Sequence, residues 1–325
     1  MTTPSAVDRV PLGATDIQIS PLGIGTWAWG DAWMWGYGKA GGYNDADIRA
    51  AFDETVAAGV NFFDTAEVYG LGRSERFLGR FVRESGQAVI VASKFFPFPW
   101  RLTRRAFLRA LRHSLARLGM ARVDLYQMHF PLPPVPVETW MNAMAGAVEA
   151  GLIRAVGVSN YSMAQMGRAH NALAKRGVKL ASNQVFYSLL HRDPEFDGVL
   201  QTCRDLNVTL IAYSPLEKGI LAGKYTPDNP PPGMRKGIYN REYLANVQPL
   251  LALMREIGAA HGDKTPAQVA LNWLICKGAV PIPGAKNARQ AVSNAGALGW
   301  RLTADEVAAL DEASLQALPP RRTPR

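Results

Sequence analysis

The sequence predicts a TIM barrel, a (β/α)8 fold, with a β-hairpin ahead of the first barrel strand and an extra helix at the carboxyl end. Eight short apolar runs alternate with stretches of helical periodicity, as expected for a buried parallel sheet wrapped by helices. Polar residues close several of these runs, and no linker divides the chain. We therefore expect residues 1–325 to form one domain, with an ordered core over residues 10–315 and a tail at 316–325.

The hairpin is predicted around residues 18–20, between the turn residues Gly13 and Pro21. The barrel strands follow as apolar runs. They are predicted at residues 22–26, 60–64, 88–94, 123–129, 153–160, 180–184, 209–214 and 280–283. An open doubly wound sheet would usually have fewer strands and a phosphate-binding loop after the first one, so the barrel is favoured.

Glycine or a capping pattern marks the ends of several predicted helices. The helices are predicted at residues 47–58, 74–82, 103–118, 139–150, 163–175, 196–207, 265–276, 287–297 and from 303 onward. Gly59 and Gly119 each follow a helix, where a residue with a left-handed conformation is common. Thr265 and Gln268 have the spacing of a capping box, which begins a helix.

Composition indicates a globular protein of a reducing compartment. The 325 residues are 48% hydrophobic, enough to bury a substantial core. Cys203 and Cys276 are the two cysteines and form no CxxC pair, so neither a disulfide framework nor a zinc ribbon is expected. The first residues lack the plan of a signal peptide, and no apolar run is long enough to cross a membrane. We expect a cytoplasmic protein.

The net charge of +9 is densest in one segment, residues 101–122. Its arginines alternate with leucines at helical spacing. The favoured interpretation is a surface helix whose leucines pack on the core and whose arginines are solvated. A helix that binds nucleic acid or an anionic membrane is the alternative, and the positive balance would also suit a phosphorylated small molecule.

One segment breaks the regular alternation, and two others are rich in aromatic side chains. Residues 223–246 contain several prolines, and a loop of this length in a compact domain is usually functional or mobile. Residues 27–43 and 95–100 follow predicted strands and are rich in aromatic side chains. At the carboxyl rim of a barrel we expect them to form the walls of an apolar substrate pocket, with packing between loops as the alternative.

Residues 23–28 read G-I-G-T-W-A and match the letters of a dinucleotide-binding fingerprint. The context does not fit, because that motif opens a helix and residues 27–42 have no helical period. Tyr-x-x-x-Lys, Walker A and G-x-S-x-G motifs are absent from the sequence, so dehydrogenases of the short-chain class, kinases and hydrolases are not favoured. The five histidines lack metal-binding spacing, and no metal is expected.

Four polar residues end or follow predicted strands: Asp64, Tyr69, Lys94 and His129. Strand ends meet at one rim of a barrel, so these side chains are expected to form one site. The charge of Lys94, held by Asp64, can lower the pKa of Tyr69 and make it a proton donor. His129 can orient a carbonyl oxygen beside that donor. Each residue alone also fits a structural role, but the joint pattern favours reduction of a C=O group by a hydride from a cofactor.

Several segments resemble the signature motifs of the aldo-keto reductases and occur in the same order. They are residues 63–70 (FDTAEVYG), 92–94 (ASK), 124–129 (DLYQMH), 157–160 (GVSN), 183–184 (NQ), 212–216 (AYSPL) and 282–284 (IPG). The resemblance extends over residues 10–315. It implies that Asp64, Tyr69, Lys94 and His129 are a catalytic tetrad, with Tyr69 as the general acid. Phe130 departs from the family pattern, where a tryptophan is common, and this difference would alter the shape of the pocket.

The resemblance also implies a site for NADPH. Its residues would be Thr26, Trp27, Ser159, Asn160, Gln184, Tyr213, Ser214, Leu216, Leu221, Gly284, Lys286, Gln290 and Asn294. Within this set, residues 159, 160 and 184 would hold the nicotinamide carboxamide, residue 213 would stack on the ring, and residues 214–221 would lie along the pyrophosphate. Residues 284–294 contain Lys286 and Arg289 and no acid, which suits a 2′-phosphate better than a free ribose.

The implied function is NADPH-dependent reduction of an aldehyde or ketone to an alcohol. Residues 281–302 look most like plant and cyanobacterial members of the family, including pyridoxal reductases, which suggests pyridoxal or another aromatic aldehyde. Arg235 and Lys236 would suit an acidic substrate, although such loop residues are more often solvated. A non-catalytic NADP(H)-binding sensor or regulatory subunit, like the potassium-channel β subunits, is the alternative. The physiological substrate, the use of NADH and the oligomeric state stay open.

Overall fold

The computed structural model describes residues 7–232 and 235–317. A short antiparallel hairpin, β1 (Val10–Pro11) and β2 (Gln18–Ile19), precedes the main sheet. The strands of that sheet are β3 (Ile24–Gly25), β4 (Phe62–Asp64), β5 (Ile90–Phe95), β6 (Val123–Met128), β7 (Ile153–Ser159), β8 (Leu180–Phe186), β9 (Thr209–Tyr213) and β10 (Val280–Pro281). All eight are parallel and pair in chain order, so the predicted TIM barrel with its hairpin is confirmed.

Helices follow the strands and surround the sheet. They are α1 (Asp45–Ala57), α2 (Arg73–Ser85), α3 (Arg104–Leu118), α4 (Val137–Glu149), α5 (Met163–Ala174), α6 (Asp193–Phe196), α7 (Val199–Asp205), α8 (Arg235–Ile238), α9 (Arg241–Ala260), α10 (Pro266–Cys276), α11 (Ala288–Ala295) and α12 (Ala304–Ala317). The last of these is the extra carboxyl-terminal helix. The capping box of Thr265 and Gln268 is present at the start of α10, as the sequence predicts.

Backbone hydrogen bonds join the first strand to the last. The Gly23 N–H donates to the Pro281 carbonyl at 3.0 Å, and the Gly25 N–H donates to the Pro283 carbonyl at 3.1 Å. These bonds close the sheet, so neither β3 nor β10 leaves a free edge. Because the eight strands run in one direction, their carboxyl ends form a single rim.

The hairpin covers the amino end of the barrel. Leu12, Ile17 and Ile19 are buried and pack against apolar strand residues that alternate with those facing the helices. Gly13 has a φ of +56°, and a Cβ there would lie 2.5 Å from the Ala181 carbonyl oxygen. The turn therefore requires glycine. This end is filled by packing, which leaves the carboxyl rim for a site.

Two differences from the predicted elements go beyond a few residues at an end. The helix predicted at residues 196–207 is two helices, α6 and α7, because Gly198 between them has a φ of +81° that no α-helix continues. The loop predicted at residues 223–246 contains α8 and ends early, because α9 begins at Arg241. Asn240 caps α9 by accepting a hydrogen bond from the Tyr243 N–H at 2.8 Å.

The basic segment at residues 101–122 contains α3, and its helical leucines support the predicted division into two faces. Leu111 and Leu118 are buried, whereas Arg105, Arg109 and Arg112 are exposed. The absence of nucleic-acid binding stays a prediction. So do the single domain and the cytoplasmic location.

Parts of two predictions fall outside the described residues. Residues 318–325 of the predicted tail do, and so do the side chains of Arg235 and Lys236. Across residues 7–232 and 235–317, no helix combines the length and apolar character that a membrane span requires.

Candidate active site

The carboxyl rim of the barrel holds a cavity of about 800 Å³. It extends from the ends of the strands to the loop after β10 and the start of α11. The predicted site residues that line it are Trp27, Asp64, Tyr69, His129, Ser159, Asn160, Gln184, Tyr213, Ser214, Leu216, Gly284, Lys286, Gln290 and Asn294. Segments far apart in the sequence therefore meet on one surface, as expected at the carboxyl ends of barrel strands.

Lys94 connects Asp64 to Tyr69 beneath the cavity floor. Its Nζ forms a buried ion pair with Asp64 Oδ1 and donates to the Thr65 carbonyl at 3.1 Å. It also lies 3.2 Å from the hydroxyl oxygen of Tyr69. An ammonium has three donors, and these three acceptors satisfy all of them. Lys94 itself does not line the cavity, so it acts on this surface through Tyr69.

Two glutamines hold the other carboxylate oxygen of Asp64. The side-chain amides of Gln127 and Gln184 donate to Asp64 Oδ2 at 2.9 Å and 2.8 Å. Both residues are buried within strands, at β6 and β8. Hydrogen bonds of this kind fix the orientation of the carboxylate toward Lys94. Sequence reasoning missed this role for Gln127, and the available signal was an amide in the middle of an otherwise apolar strand.

The protonation of Lys94 and Tyr69 follows from burial and charge together. Burial lowers the pKa of Lys94, but the negative charge of Asp64 opposes burial and leaves that pKa above its ordinary value. Burial raises the pKa of Tyr69, and the charge of Lys94 offsets only part of this effect. Lys94 therefore lowers the pKa of Tyr69, as predicted, but burial outweighs this effect and leaves the pKa above its ordinary value. At neutral pH both groups keep their protons.

His129 follows β6 and lies beside Tyr69. The two rings meet edge to face, with centroids 6.0 Å apart and an interplanar angle of 84°. Burial lowers the pKa of His129 to about 3, and the charge of Lys94 acts in the same direction. The imidazole is therefore neutral at physiological pH. Its Nδ1 is buried and has no hydrogen-bond partner among the described residues, so it differs from a satisfied core histidine.

A polar network continues from His129 across the ends of β7, β8 and β9. Asn160 donates to the His129 carbonyl at 3.2 Å and accepts from the Tyr213 hydroxyl at 3.1 Å. Ser159 donates to the Gln184 carbonyl at 2.8 Å. The ring of Tyr213 stacks on Phe186, with centroids 5.5 Å apart and planes 16° apart. One face of Tyr213 is thus covered by protein while its ring borders the cavity.

Left-handed residues other than glycine gather around this cavity. Asn160, Ser214 and Lys218 line it with φ values of 61°, 51° and 51°, and the neighbouring Glu217 has a φ of 47°. Such conformations cost free energy for residues with a Cβ and are retained where the surroundings impose them. The segment after β9 is therefore held in a shape that its own sequence does not favour.

Basic side chains dominate the part of the cavity that is formed by the segments after β9 and β10, which we call its far end. Lys218, Lys224, Lys286 and Arg289 line the cavity, and Asp64 is the one acidic residue among its described lining residues. Asp64 is neutralised by Lys94, so the far end carries a net positive charge suited to phosphate groups. The residues predicted for the site included Lys286 but not Lys218 and Lys224, which follow β9. These two reach the cavity through short helical turns that the sequence analysis did not predict.

Two residues predicted to contact the cofactor do not reach the cavity surface. Thr26 is fully buried, and its hydroxyl bonds to the Asp64 carbonyl at 3.0 Å and to the Ser74 hydroxyl at 2.7 Å. Leu221 is fully buried in the main hydrophobic core. Their side chains lie inside the protein, and contact of either residue with the cofactor stays a prediction. Trp27 lines the cavity as predicted, 6.3 Å from Tyr69 between ring centroids.

Comparisons with known proteins agree with this geometry. A pyridoxal reductase from chloroplasts of Arabidopsis thaliana is 42% identical over 314 residues, covering 93% of this chain and 85% of its own. A solved glycerol dehydrogenase from Gluconobacter oxydans is 26% identical with a TM-score of 0.85, covering 99% of both chains. A solved aldo/keto reductase from Klebsiella pneumoniae, in complex with NADP and acetate, is 29% identical with a TM-score of 0.74, covering 98% of both chains. The profile of the aldo/keto reductase family matches residues 21–315, and the chain belongs to that family.

Proposed function

We propose that this protein reduces an aldehyde or ketone to an alcohol with NADPH. The observation that carries the proposal is the buried chain from Asp64 through Lys94 to Tyr69, which ends at the floor of the cavity beside neutral His129. Such a chain presents a proton donor, backed by a cation, to a carbonyl oxygen. The net positive charge at the far end of the same cavity supports a cofactor with phosphate groups.

The lining residues fit NADPH at both ends of the cavity. Near Tyr69, the exposed face of Tyr213 suits stacking, and the polar groups of Ser159, Asn160 and Gln184 suit a carboxamide. At the other end, Lys286 and Arg289 suit a 2′-phosphate, with Gln290 and Asn294 beside them. Ser214 and Leu216 would lie along the pyrophosphate. When bound, NADPH supplies the hydride that the carbonyl carbon receives.

The residues of this chain would supply the proton and hold the oxygen. Tyr69 keeps its proton at neutral pH and transfers it to the carbonyl oxygen, which becomes the alcohol. Lys94 remains an ammonium and stabilises the tyrosinate that is left. The neutral imidazole of His129 can donate a hydrogen bond to the carbonyl oxygen and so orient it. It does not compete with Tyr69 as the acid. Asp64 keeps Lys94 charged and correctly placed.

The surroundings of Tyr69 and His129 support an aromatic substrate. Trp27, Val68 and Phe130 line the cavity beside these two residues and present flat or apolar surfaces. One relative at 42% identity is a pyridoxal reductase, and pyridoxal is an aromatic aldehyde. We propose pyridoxal as the first substrate to test and aromatic aldehydes as the preferred class.

The test measures NADPH oxidation at 340 nm with pyridoxal, 4-nitrobenzaldehyde, methylglyoxal and glyceraldehyde. Tyr69→Phe is the matched variant, since it keeps the ring and removes the proton donor. We expect turnover by the wild type and a loss of kcat of about 10²–10⁴-fold in the variant. NADPH binding, followed by fluorescence, should be unchanged. No turnover of any carbonyl, together with tight NADPH binding, would refute the reductase and favour the sensor or regulatory subunit.

A further inference from the structure

A row of aromatic side chains leads from the candidate active site to the protein surface. It runs through the loop after β5, and we call Phe96, Phe98 and Trp100 the aromatic arm. Trp100 stacks on Phe98 with centroids 4.9 Å apart and planes 10° apart, and Phe98 contacts Phe96 at 4.5 Å. Phe96 in turn lies 5.3 Å from His129 and 5.7 Å from Phe130. The arm is therefore continuous with the cavity, because His129 and Phe130 both line it.

A partly buried ion pair anchors the arm to the catalytic segment. Glu67 lies between Asp64 and Tyr69, and its carboxylate accepts from Arg101 at 3.0 Å and from the Phe96 N–H at 2.7 Å. The side chain of Glu67 is 8% exposed. The Arg101 guanidinium also packs against the Phe98 ring, 5.7 Å from its centroid. Both ends of the arm are thus fixed, so its rings hold their positions relative to Tyr69.

The outer half of the arm is exposed to solvent. Trp100 is 76% exposed, and Phe130, at the boundary between cavity and arm, is 38% exposed. Large aromatic side chains held in a row at the surface are a poor choice for solubility and are typical of binding sites. The arm begins beside His129 and Phe130, which line the cavity. A ligand that extends out of the cavity at this point therefore meets the arm.

We propose that the aromatic arm is an outer subsite for a second flat ring of the carbonyl substrate. The inference rests on the proposed reductase function and narrows its substrate class. The preferred substrates are aryl aldehydes or ketones with an extended two-ring skeleton. The carbonyl group lies between Tyr69 and His129, the first ring contacts Phe130, and the second ring packs on Phe98 and Trp100.

The chemistry of the arm favours a neutral flat ring over a charged group. Arg101, which packs against the Phe98 ring, is ion-paired with Glu67. The remaining surface consists of ring faces and edges, which attract another aromatic ring through offset or edge contacts. Each such contact contributes about 0.5–1.5 kcal/mol, or roughly 2- to 13-fold in binding.

The test compares benzaldehyde, which has one ring, with biphenyl-4-carbaldehyde, which has two. The readout is the ratio of kcat/KM for the two-ring aldehyde to kcat/KM for the one-ring aldehyde. We expect this ratio to exceed one in the wild type and to fall about 2- to 13-fold in Trp100→Ala and in Phe98→Leu. Phe196→Ala is the control, because Phe196 is an exposed aromatic residue on α6 that does not line the cavity. It should keep the wild-type ratio.

A binding measurement separates failure of the subsite from failure of the proposed function. If neither aldehyde is reduced, the reductase proposal fails, and the subsite is then judged by the affinities of biphenyl-4-carboxylate and benzoate. Tryptophan fluorescence of Phe98→Leu and wild type reports these affinities, and the two-ring preference should again fall in the variant. A ratio that is the same in wild type, Trp100→Ala and Phe98→Leu would overturn the proposal.

Discussion

His129 shows how burial sets the charge of a single residue in this site. Burial lowers its pKa to about 3, with a further contribution from the charge of Lys94, whereas an unfolded histidine titrates near 6.5. Below pH 6.5 the unfolded chain binds a proton that the folded protein does not. Stability from this group is therefore complete above pH 6.5 and is lost as the pH falls toward 3.

Because this histidine is protonated only in the unfolded chain, we expect the free energy of unfolding to fall by about 2 kcal/mol between pH 7 and pH 5. Urea unfolding of the wild type and of His129→Gln, each at both pH values, measures the effect. Between pH 7 and pH 5, the free energy of unfolding should fall by that amount less in the variant than in the wild type. The comparison does not depend on how stable the variant is at pH 7. Other buried groups, such as His191, titrate equally in both proteins and cancel. Equal pH dependence of the two proteins would contradict a neutral His129.

The Asp64–Lys94 pair predicts a second effect at the residue scale. Lys94→Met leaves Asp64 as a buried charge without its counterion, since both side chains are 1% exposed. Removing one partner of a buried pair usually costs about 3–5 kcal/mol, and removing both costs much less. We therefore expect Lys94→Met to be strongly destabilised and Asp64→Asn with Lys94→Met to recover most of the loss. Urea unfolding of the two proteins decides this, and a double variant as unstable as the single one would show that the pair is not the cause.

Sequence reasoning identified residues whose chemistry is unusual at strand ends. It identified Asp64 and Lys94 because each ends an apolar run, and charged residues are rarely buried there unless they are paired. It did not indicate that the Thr26 hydroxyl lies inside the protein, because a threonine beside a glycine gives no sign of which face its hydroxyl takes. It missed Gln127 because the partner of a mid-strand amide depends on the register between strands.

At the scale of elements, helices α2 and α3 pack unusually closely. Gly79 in α2 faces the carboxyl end of α3, where a methyl group would overlap the carbonyl oxygen of Leu118. Backbone cannot yield as a flexible side chain does, so we expect Gly79→Ala to destabilise the protein by about 2–3 kcal/mol.

Gly167→Ala is the matched control for this contact. Gly167 lies within α5, and a Cβ there would meet no atom within 4 Å. Alanine is the better helix former, so this variant should gain about 0.5–1 kcal/mol. Thermal or urea unfolding measures both variants. A Gly79→Ala protein as stable as Gly167→Ala would mean that α2 and α3 can move apart.

Element boundaries were predictable where local chemistry decides them. The capping box of Thr265 and Gln268 begins α10 as predicted, because both partners lie within four residues of each other. The break between α6 and α7 was missed, since a glycine inside an apparently helical run does not reveal its φ in advance. The short turns after β9 were also missed, because their left-handed residues depend on the surrounding structure.

At the scale of the whole molecule, the positive far end of the cavity predicts a preference between cofactors. Lys286 and Arg289 lie at that end, so NADPH should bind more tightly than NADH. Lys286→Gln removes one cation, and loss of a charged hydrogen bond of about 1.5–3 kcal/mol corresponds to roughly 10- to 150-fold weaker NADPH binding. NADH binding should change little. Fluorescence titration of both cofactors measures this, and an equal loss for NADH would assign Lys286 to another part of the cofactor.

The whole fold was the most predictable level, and the pocket was the least. The barrel follows from repeated apolar runs and from chain-order pairing of parallel strands, which are properties of the sequence pattern. The cavity depends on loops that meet from distant segments, as when Phe96 reaches His129 and Glu67 binds Arg101. Contacts of this kind leave no pattern in the local sequence. The sequence can therefore indicate such residues but not the residues that they contact.

Transfer of deuterium from the cofactor to the substrate shows directly whether this protein reduces a carbonyl group by hydride transfer. Wild type would be incubated with pyridoxal or 4-nitrobenzaldehyde and NADPH deuterated at the transferred C4 position, and the alcohol would be analysed by mass spectrometry. We expect one deuterium on the former carbonyl carbon and a rate about 10²–10⁴-fold lower in Tyr69→Phe. An alcohol without deuterium, or undiminished reduction by Tyr69→Phe, would contradict hydride transfer to the carbonyl carbon with Tyr69 as the proton donor.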